Sequence, residues 1–299
     1  MAQSNQKVQT LIDAIPYFKK FYGKVVVIKY GGSAQTSNDL KDKFAQDIVL
    51  LTLLGIKPIV VHGGGARITE LLTKLEIPSS FKDGYRVTCK ESMRVVEMVL
   101  SGEINKNISS LLNYHGAKAI GISGKDSNLI SAVAKDNGAL GYTGDITSVN
   151  GEMLFKLINE GFIPVIAPIA NSDEPNHPGY NINADVAACK IAMAVKAQKV
   201  IFLTDTIGVL NKSGELIQTL DKQSVEIFKK DGTIAGGMIP KVDSCIEAIH
   251  NGVNKAHIID GRVEHSILLE LFTSDGIGTQ FIRVDNPNNG VDIKKLLDN

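Results

Sequence analysis

The sequence predicts an α/β fold, an open and mainly parallel sheet with helices on both faces. Three observations predict it. From Lys24 onward, short apolar strand candidates alternate with stretches of helical periodicity, as repeated βα units do. The chain has 299 residues, 43% of them hydrophobic, which suffices for one large α/β domain or two lobes sharing a sheet. No low-complexity linker divides it, so the sheet is expected to be continuous.

The elements follow in chain order. "VQTLIDAIPYFKKFYGK" places Val8, Leu11, Ile12 and Ile15 at i, i+3, i+4 and i+7, the spacing of an amphipathic helix. Asp13, Pro16, Lys19 and Lys20 interrupt any continuous apolar core, which excludes a signal peptide or a membrane span from this segment. Pro16 is expected to kink the helix or to start a second one carrying Phe18, Phe21 and Tyr22 on one side. Such a helix either packs on its own domain or reaches another subunit. The strand candidates are "VVVIKY", "KPIVVH", "KAIGIS", "FIPVIAP", "KVIFLTD" and "KAHIID", and Ile68, Leu71, Leu72 and Leu75 mark a helix after the second. Between Ser127 and Asn150 the alternation breaks, and Asp136-Asn137-Gly138 marks a hairpin turn. The polar loop from Asn171 to Gly179 is where two lobes are expected to part.

Charge and cysteine content narrow the function. Thirty-two basic residues balance thirty-two acidic ones, and no Lys/Arg run departs from that balance, so nucleic acid is not an expected partner. Three separated cysteines fit neither a disulfide framework nor a CxxC metal site, and a reduced, intracellular protein is expected.

In open parallel sheets ligands collect beyond the carboxyl ends of the strands. Lys29, Gly31 and Gly32 follow the first strand, and His62 with Gly63, Gly64 and Gly65 follows the second. Asn181, Asn183 and Asp185 open an Ala-rich helix, and Lys241 follows the flexible turn at Gly236-Gly237. Each has a plain reading: an edge charge for Lys29, an N-cap with a first-turn acid for Asn181 to Asp185, a surface residue for Lys241. A triple glycine is harder to explain that way, because a tight turn needs only one. Together these residues supply the parts of a phosphoryl-transfer site without a P-loop. Gly124-Lys125-Asp126 is the nearest approach to a Walker sequence, and GxGxxG, HExxH, HRD and DFG are absent. The six histidines lack metal-ligand spacing.

The ordered segments "IKYGGSA", "VVHGGG", "GYRVT", "YNINAD", "FLTDTIGVL" and "GGMIPKV" resemble the amino acid kinase family, specifically its arginine-sensitive members that phosphorylate N-acetyl-L-glutamate. The resemblance runs from about residue 8 to residue 283, with small departures in "GGSAQT" and "GISGKDSNL". It implies an eight-stranded sheet in a three-layer αβα sandwich, with a helical arm over 1–22 and a kinase domain over 23–299. The lobe over about 23–180 would bind the acetylated amino acid and form the dimer, and the lobe over 181–299 would bind the nucleotide.

The implied reaction is ATP-dependent phosphorylation of the side-chain carboxylate, the second step of arginine biosynthesis. That nucleophile is already ionised, since a glutamate side chain titrates at about 4.3, so fixed cations are needed rather than a general base. By resemblance Lys29 and Lys241 stabilise the transition state and Asp185 holds both. Gly64, Gly65, Arg86 and Asn181 would bind substrate, Arg86 as a bidentate carboxylate clamp. Gly31, Gly32, Thr204, Asp205, Gly208, Gly236 and Gly237 would meet the nucleotide, with Mg²⁺ carried by ATP rather than by a protein cage. Arg86 in its RVT context and NINAD argue against the glutamate 5-kinase and carbamate kinase members. The arm and the segment "EHSILLELFTSDGIGTQF" further imply feedback by L-arginine through Tyr17, Glu270 and Gly276, and a hexamer built as a trimer of dimers. A PII-type regulatory protein is a candidate partner, a membrane is not, and the expected compartment is the cytoplasm, or the stroma if the gene is plastid-borne.

Overall fold

The computed structural model describes residues 2–35 and 37–284. Helix α1 (Ala2–Phe21) leads into β1 (Val25–Tyr30), α2 (Asn38–Leu53), β2 (Lys57–His62) and α3 (Gly65–Lys74). A small hairpin, β3 (Ser80–Lys82) and β4 (Tyr85–Val87), precedes a long helical run of α4 (Lys90–Glu97), a π-helical segment (Met98–Ile104) and α5 (Asn105–Tyr114). Next come β5 (Ala119–Ser123), the hairpin β6 (Ile130–Ala134) with β7 (Gly144–Val149), α6 (Gly151–Asn159) and β8 (Ile163–Ala167). The two-residue strands β9 (Ile169–Ala170) and β10 (Tyr180–Asn181) pair around the polar loop. The remainder is α7 (Ala184–Ala194), β11 (Lys199–Thr204), β12 (Thr219–Leu220), α8 (Lys222–Lys230), α9 (Met238–His250), β13 (Lys255–Asp260), α10 (Ser266–Phe272) and β14 (Thr279–Phe281).

Eight of these strands form one sheet in the order β12-β14-β13-β11-β1-β2-β8-β5. All neighbours run parallel except β13 and β14. Each strand candidate read from the sequence coincides with one of the eight, and the hairpin around Asp136-Asn137-Gly138 forms as β6 and β7. Its turn residues take positive φ angles of 49°, 51° and 87°, the region that Asp, Asn and Gly tolerate best.

Alternation along β1 sorts side chains between two layers. Val25 and Val27 join a core with α6, α7, α8 and α9, whereas Val26, Ile28 and Tyr30 join a second core with α2, α5 and α10. The strand's period of two therefore places Lys29 on the α7 side. In β2 the same rule sends Val61 toward α7 and His62 toward α5. All six β1 residues are buried. Each such Val or Ile contributes about 1.5–3 kcal/mol of burial relative to exposure.

Helix α1 runs through Pro16 as a single element, so no second helix starts there. Its two ends do different things. Phe18 and Phe21 pack edge-on against Phe272 of α10, and Phe21 is fully buried in the second core. Val8, Leu11, Ile12 and Ile15, by contrast, are 56%, 64%, 50% and 41% exposed.

Candidate active site

The site lies at the carboxyl edge of the sheet, where β1, β2 and β11 end side by side. Lys29, from β1, reaches α7. Its Nζ is 2.9 Å from Asp185 Oδ1, and Lys241 Nζ, from the first turns of α9, donates to Asp185 Oδ2 at 2.6 Å. Asn183 caps α7 and accepts from the Asp185 and Val186 amides, so the backbone under the acid is fixed by its own sequence. Burial alone would raise the Asp185 carboxyl, but the two ammonium groups outweigh it and hold the pKa at about 2. The result is an ionised acid spaced between two cations from distant parts of the chain.

The glycine loops divide by what they face. A side chain at Gly31 would put its Cβ 2.5 Å from the Leu203 carbonyl, so that glycine serves the close approach of β1 and β11. At Gly64 it would meet Ile104 and Leu100 of the π-helical segment at 2.5 and 2.6 Å. Gly32, Gly65 and Gly237 have nothing within 4 Å of that position, which leaves their backbones approachable by a polyanion. His62 braces the second loop from below. Its Nδ1 lies 3.1 Å from the Gly63 carbonyl, and Asn105 Nδ2 donates to its Nε2 at 3.1 Å. Burial lowers the His62 pKa to about 4, so the ring is neutral with Nδ1 carrying the proton.

A cavity of about 230 Å³, the size of a small amino-acid derivative, opens between these loops and is bounded by Lys29, Gly32, Gly65, Arg86, Asn181 and Asp185. Arg86 lines it. Its guanidinium donates to Ser79 Oγ (2.5 Å), the Gly65 carbonyl (3.0 Å) and Thr69 Oγ1 (2.9 Å), and lies 4.6 Å from the Phe81 ring centre across the hairpin. Asn181 donates to Thr88 Oγ1 at 3.2 Å. Ile68, Phe81 and Leu100 add an apolar wall.

The structure thus brings Lys29, Gly32, Gly64, Gly65, Arg86, Asn181 and Asp185 around one cavity, with Lys241 tied in through Asp185. Gly31, Thr204, Asp205, Gly208, Gly236 and Gly237 do not line it. Thr204 ends β11 and donates to Asp205, Gly208 sits against Leu216 and Thr279, and Gly236 (φ 54°) with Gly237 precedes α9. Tyr17, Glu270 and Gly276 meet elsewhere, around a cavity of about 470 Å³ between α1 and α10 that Lys199, Lys255 and His257 share. There burial works against the charge of Glu270, but contacts with His257 (2.6 Å) and Lys199 (3.6 Å) and the Ile277 amide keep it ionised. Among the described residues no cluster of three His, Cys, Asp or Glu side chains is spaced to hold a metal ion. Thr69, Ser79, Asn105 and Thr143 were not singled out in the sequence, and Thr88 only as the end of the GYRVT motif, because short polar residues carry no spacing signal.

The chain is similar to known proteins over nearly its whole length. The model of the amino acid kinase family matches residues 24–260. Acetylglutamate kinase of Aliarcobacter butzleri is 89% identical over 297 residues, 99% of either chain. Acetylglutamate kinase of a Nitratiruptor species is 62% identical over 282 residues, 94% of this chain and 99% of its own. Among solved structures, N-acetylglutamate synthase from Neisseria gonorrhoeae, complexed with coenzyme A and N-acetyl-glutamate, matches with a TM-score of 0.83 at 25% identity, over 93% of this chain and 64% of that one. The chain belongs to the amino acid kinase family, in its acetylglutamate kinase branch.

Proposed function

We propose that this chain transfers the γ-phosphoryl group of ATP to the side-chain carboxylate of N-acetyl-L-glutamate, yielding the 5-phosphate. One observation carries the residue assignment: Asp185 holds Lys29 and Lys241 together, and Lys29, Asp185 and Arg86 line one cavity. The acceptor carboxylate is ionised at neutral pH and attacks without a base, so the work lies in alignment and in neutralising charge on the phosphoryl group. Lys29 and Lys241 supply that charge. Asp185 keeps the two ammonium groups apart and fixed, being ionised at any physiological pH. Arg86 and Asn181 hold the α-carboxylate end, and the Gly64 and Gly65 backbone meets substrate oxygens.

The nucleotide half rests on Gly32, Thr204, Asp205, Gly208, Gly236 and Gly237, with Gly31 placing the loop through the close approach of β1 and β11. The open space at Gly32 and Gly237 and the ammonium of Lys241 in the first turns of α9 fit a polyphosphate. Mg²⁺ would be held mainly by phosphate oxygens, and it supplies further neutralisation of the transferring group. Residues 23–180 then act as the substrate lobe and 181–299 as the nucleotide lobe, of which 285–299 lie outside the described residues. ADP release measured with N-acetyl-L-glutamate, L-glutamate, L-aspartate and carbamate tests the reading. Turnover is expected with the first alone, and equal turnover with L-glutamate would overturn the substrate assignment.

Feedback is the second part of the proposal. L-Arginine binds the cavity of Tyr17, Glu270 and Gly276, its guanidinium on Glu270. The exposed stripe of Val8, Leu11, Ile12 and Ile15 supports joining dimers into a hexamer, because a row of large apolar side chains gains by leaving water. In this reading the enzyme works in the cytoplasm, and no described helix is long and apolar enough to cross a membrane.

A further inference from the structure

Two buried threonine hydroxyls link the two residues assigned to the substrate's α-carboxylate end. Arg86 is on β4 and Asn181 on β10, far apart in sequence, and neither hydrogen-bonds the other. Thr143 stands between them. Its Oγ1 donates to the Arg86 carbonyl at 2.5 Å and lies 2.9 Å from Thr88 Oγ1, which in turn accepts from Asn181 Nδ2 at 3.2 Å. Thr143 is 2% exposed and Thr88 is fully buried, yet Thr143 also lines the cavity.

Both threonine hydroxyls reach the Arg86 carbonyl, Thr143 Oγ1 at 2.5 Å and Thr88 Oγ1 at 3.3 Å, and either can be the donor between them. A hydroxyl has a single hydrogen, and that of Thr88 points either to Thr143 or to the Arg86 carbonyl, so Thr88 offers only lone pairs to Asn181, which fixes an N–H of the amide toward Thr88. The backbone holds the same alignment: Asn181 N donates to the Tyr142 carbonyl and Tyr142 N to the Thr88 carbonyl, both at 2.8 Å.

We infer that Thr143 is a positioning and specificity residue for the acetylated amino acid: through Thr88 it locks Arg86 and Asn181 into one clamp. The inference rests on the substrate reading above. A valine at this position keeps the shape but removes the hydroxyl, leaving the Arg86 carbonyl with only the longer 3.3 Å contact from Thr88 and breaking the link between the two threonines. Nucleotide residues take no part in the relay, so the effect belongs to one substrate only.

Steady-state constants of Thr143→Val, Thr88→Val and Thr143→Ser, with their melting temperatures, test it. Either valine variant is expected to raise KM for N-acetyl-L-glutamate roughly tenfold, the order of one lost hydrogen bond, while kcat and KM for ATP stay within about twofold. Thr143→Ser, which keeps the hydroxyl, restores the parent KM. Unchanged KM in the valine variants, an equal rise for ATP, or failure of both valine variants to fold would each overturn the inference, the last because the hydroxyls would then hold the fold rather than the clamp. The parent enzyme separates this from the wider reading. Without turnover of N-acetyl-L-glutamate by the parent the substrate assignment falls and takes the clamp with it, whereas turnover with unselective variants removes the clamp alone.

Discussion

Lys241 contacts the one acid that also holds Lys29, so its removal both deletes a cation and frees Asp185 to pair with Lys29 alone. If its charge acts mainly in the transition state, Lys241→Ala lowers kcat roughly 10²–10³-fold with a smaller change in substrate KM. A kcat loss below about fivefold would exclude that role. Arg86→Lys is expected to raise KM for N-acetyl-L-glutamate far more than KM for ATP, since a lysine cannot reproduce the planar fork. His62 makes a prediction about stability. Its folded pKa, about 4, lies below the ordinary 6.5, so the unfolded chain takes up a proton first and stability falls as pH drops from 6.5 toward 4. At pH 5 the cost is about 2 kcal/mol. His62→Asn should therefore lose less melting temperature between pH 7 and pH 5 than the parent, and an identical loss would show that His62 is not the titrating group.

The glycine loops give a contrast at the level of the element. An added methyl at Gly31 strikes the backbone carbonyl of Leu203, which can move only if β1 and β11 separate. Gly31→Ala should cost about 1–3 kcal/mol of stability, read as a lower denaturant midpoint. Gly32→Ala has open space and should unfold like the parent, but its methyl enters the cavity that Gly32 lines and should lower kcat/KM at least about tenfold. Matching stability losses in the two variants would refute the division of labour. The same comparison explains what was readable. The motif "IKYGGSA" announces a functional loop, but nothing local says which glycine serves strand packing and which serves the ligand. The π-helical segment was likewise hidden, because its residues read as ordinary helix and only their packing over Gly64 distinguishes them.

At the scale of the molecule, helix α1 packs on the body at its C-terminal end and exposes the apolar stripe of Val8, Leu11, Ile12 and Ile15 at its other end. Phe21 lies in the core and Phe18 packs on Phe272, so a truncation that tests the arm should end at residue 15, before those contacts. Such a protein is expected to phosphorylate its substrate, to sediment as a dimer and to lose most of its arginine sensitivity, since an effector acts only by preferring one arrangement over another. Persistence of a hexamer, or inhibition at the same arginine concentration, would refute the interlocking arm.

The sequence by itself determined the strands and the order of the motifs. β-Branched runs of period two and the glycines that end them are local properties, and a strand-terminal lysine is visible wherever it occurs. It also announced Lys29, Asp185 and Lys241, each with an ordinary alternative when read alone and joined only through the family resemblance. What physically joins them is tertiary: Lys241 and Asp185 are 56 residues apart, and only the crossing of β1 and α9 against α7 brings both lysines onto one carboxylate. Thr143, Thr88 and Asn105 were decided in the same way. A threonine or asparagine becomes structural when burial removes water and leaves one partner within reach, and that partner is chosen by the fold, not by neighbours in the chain.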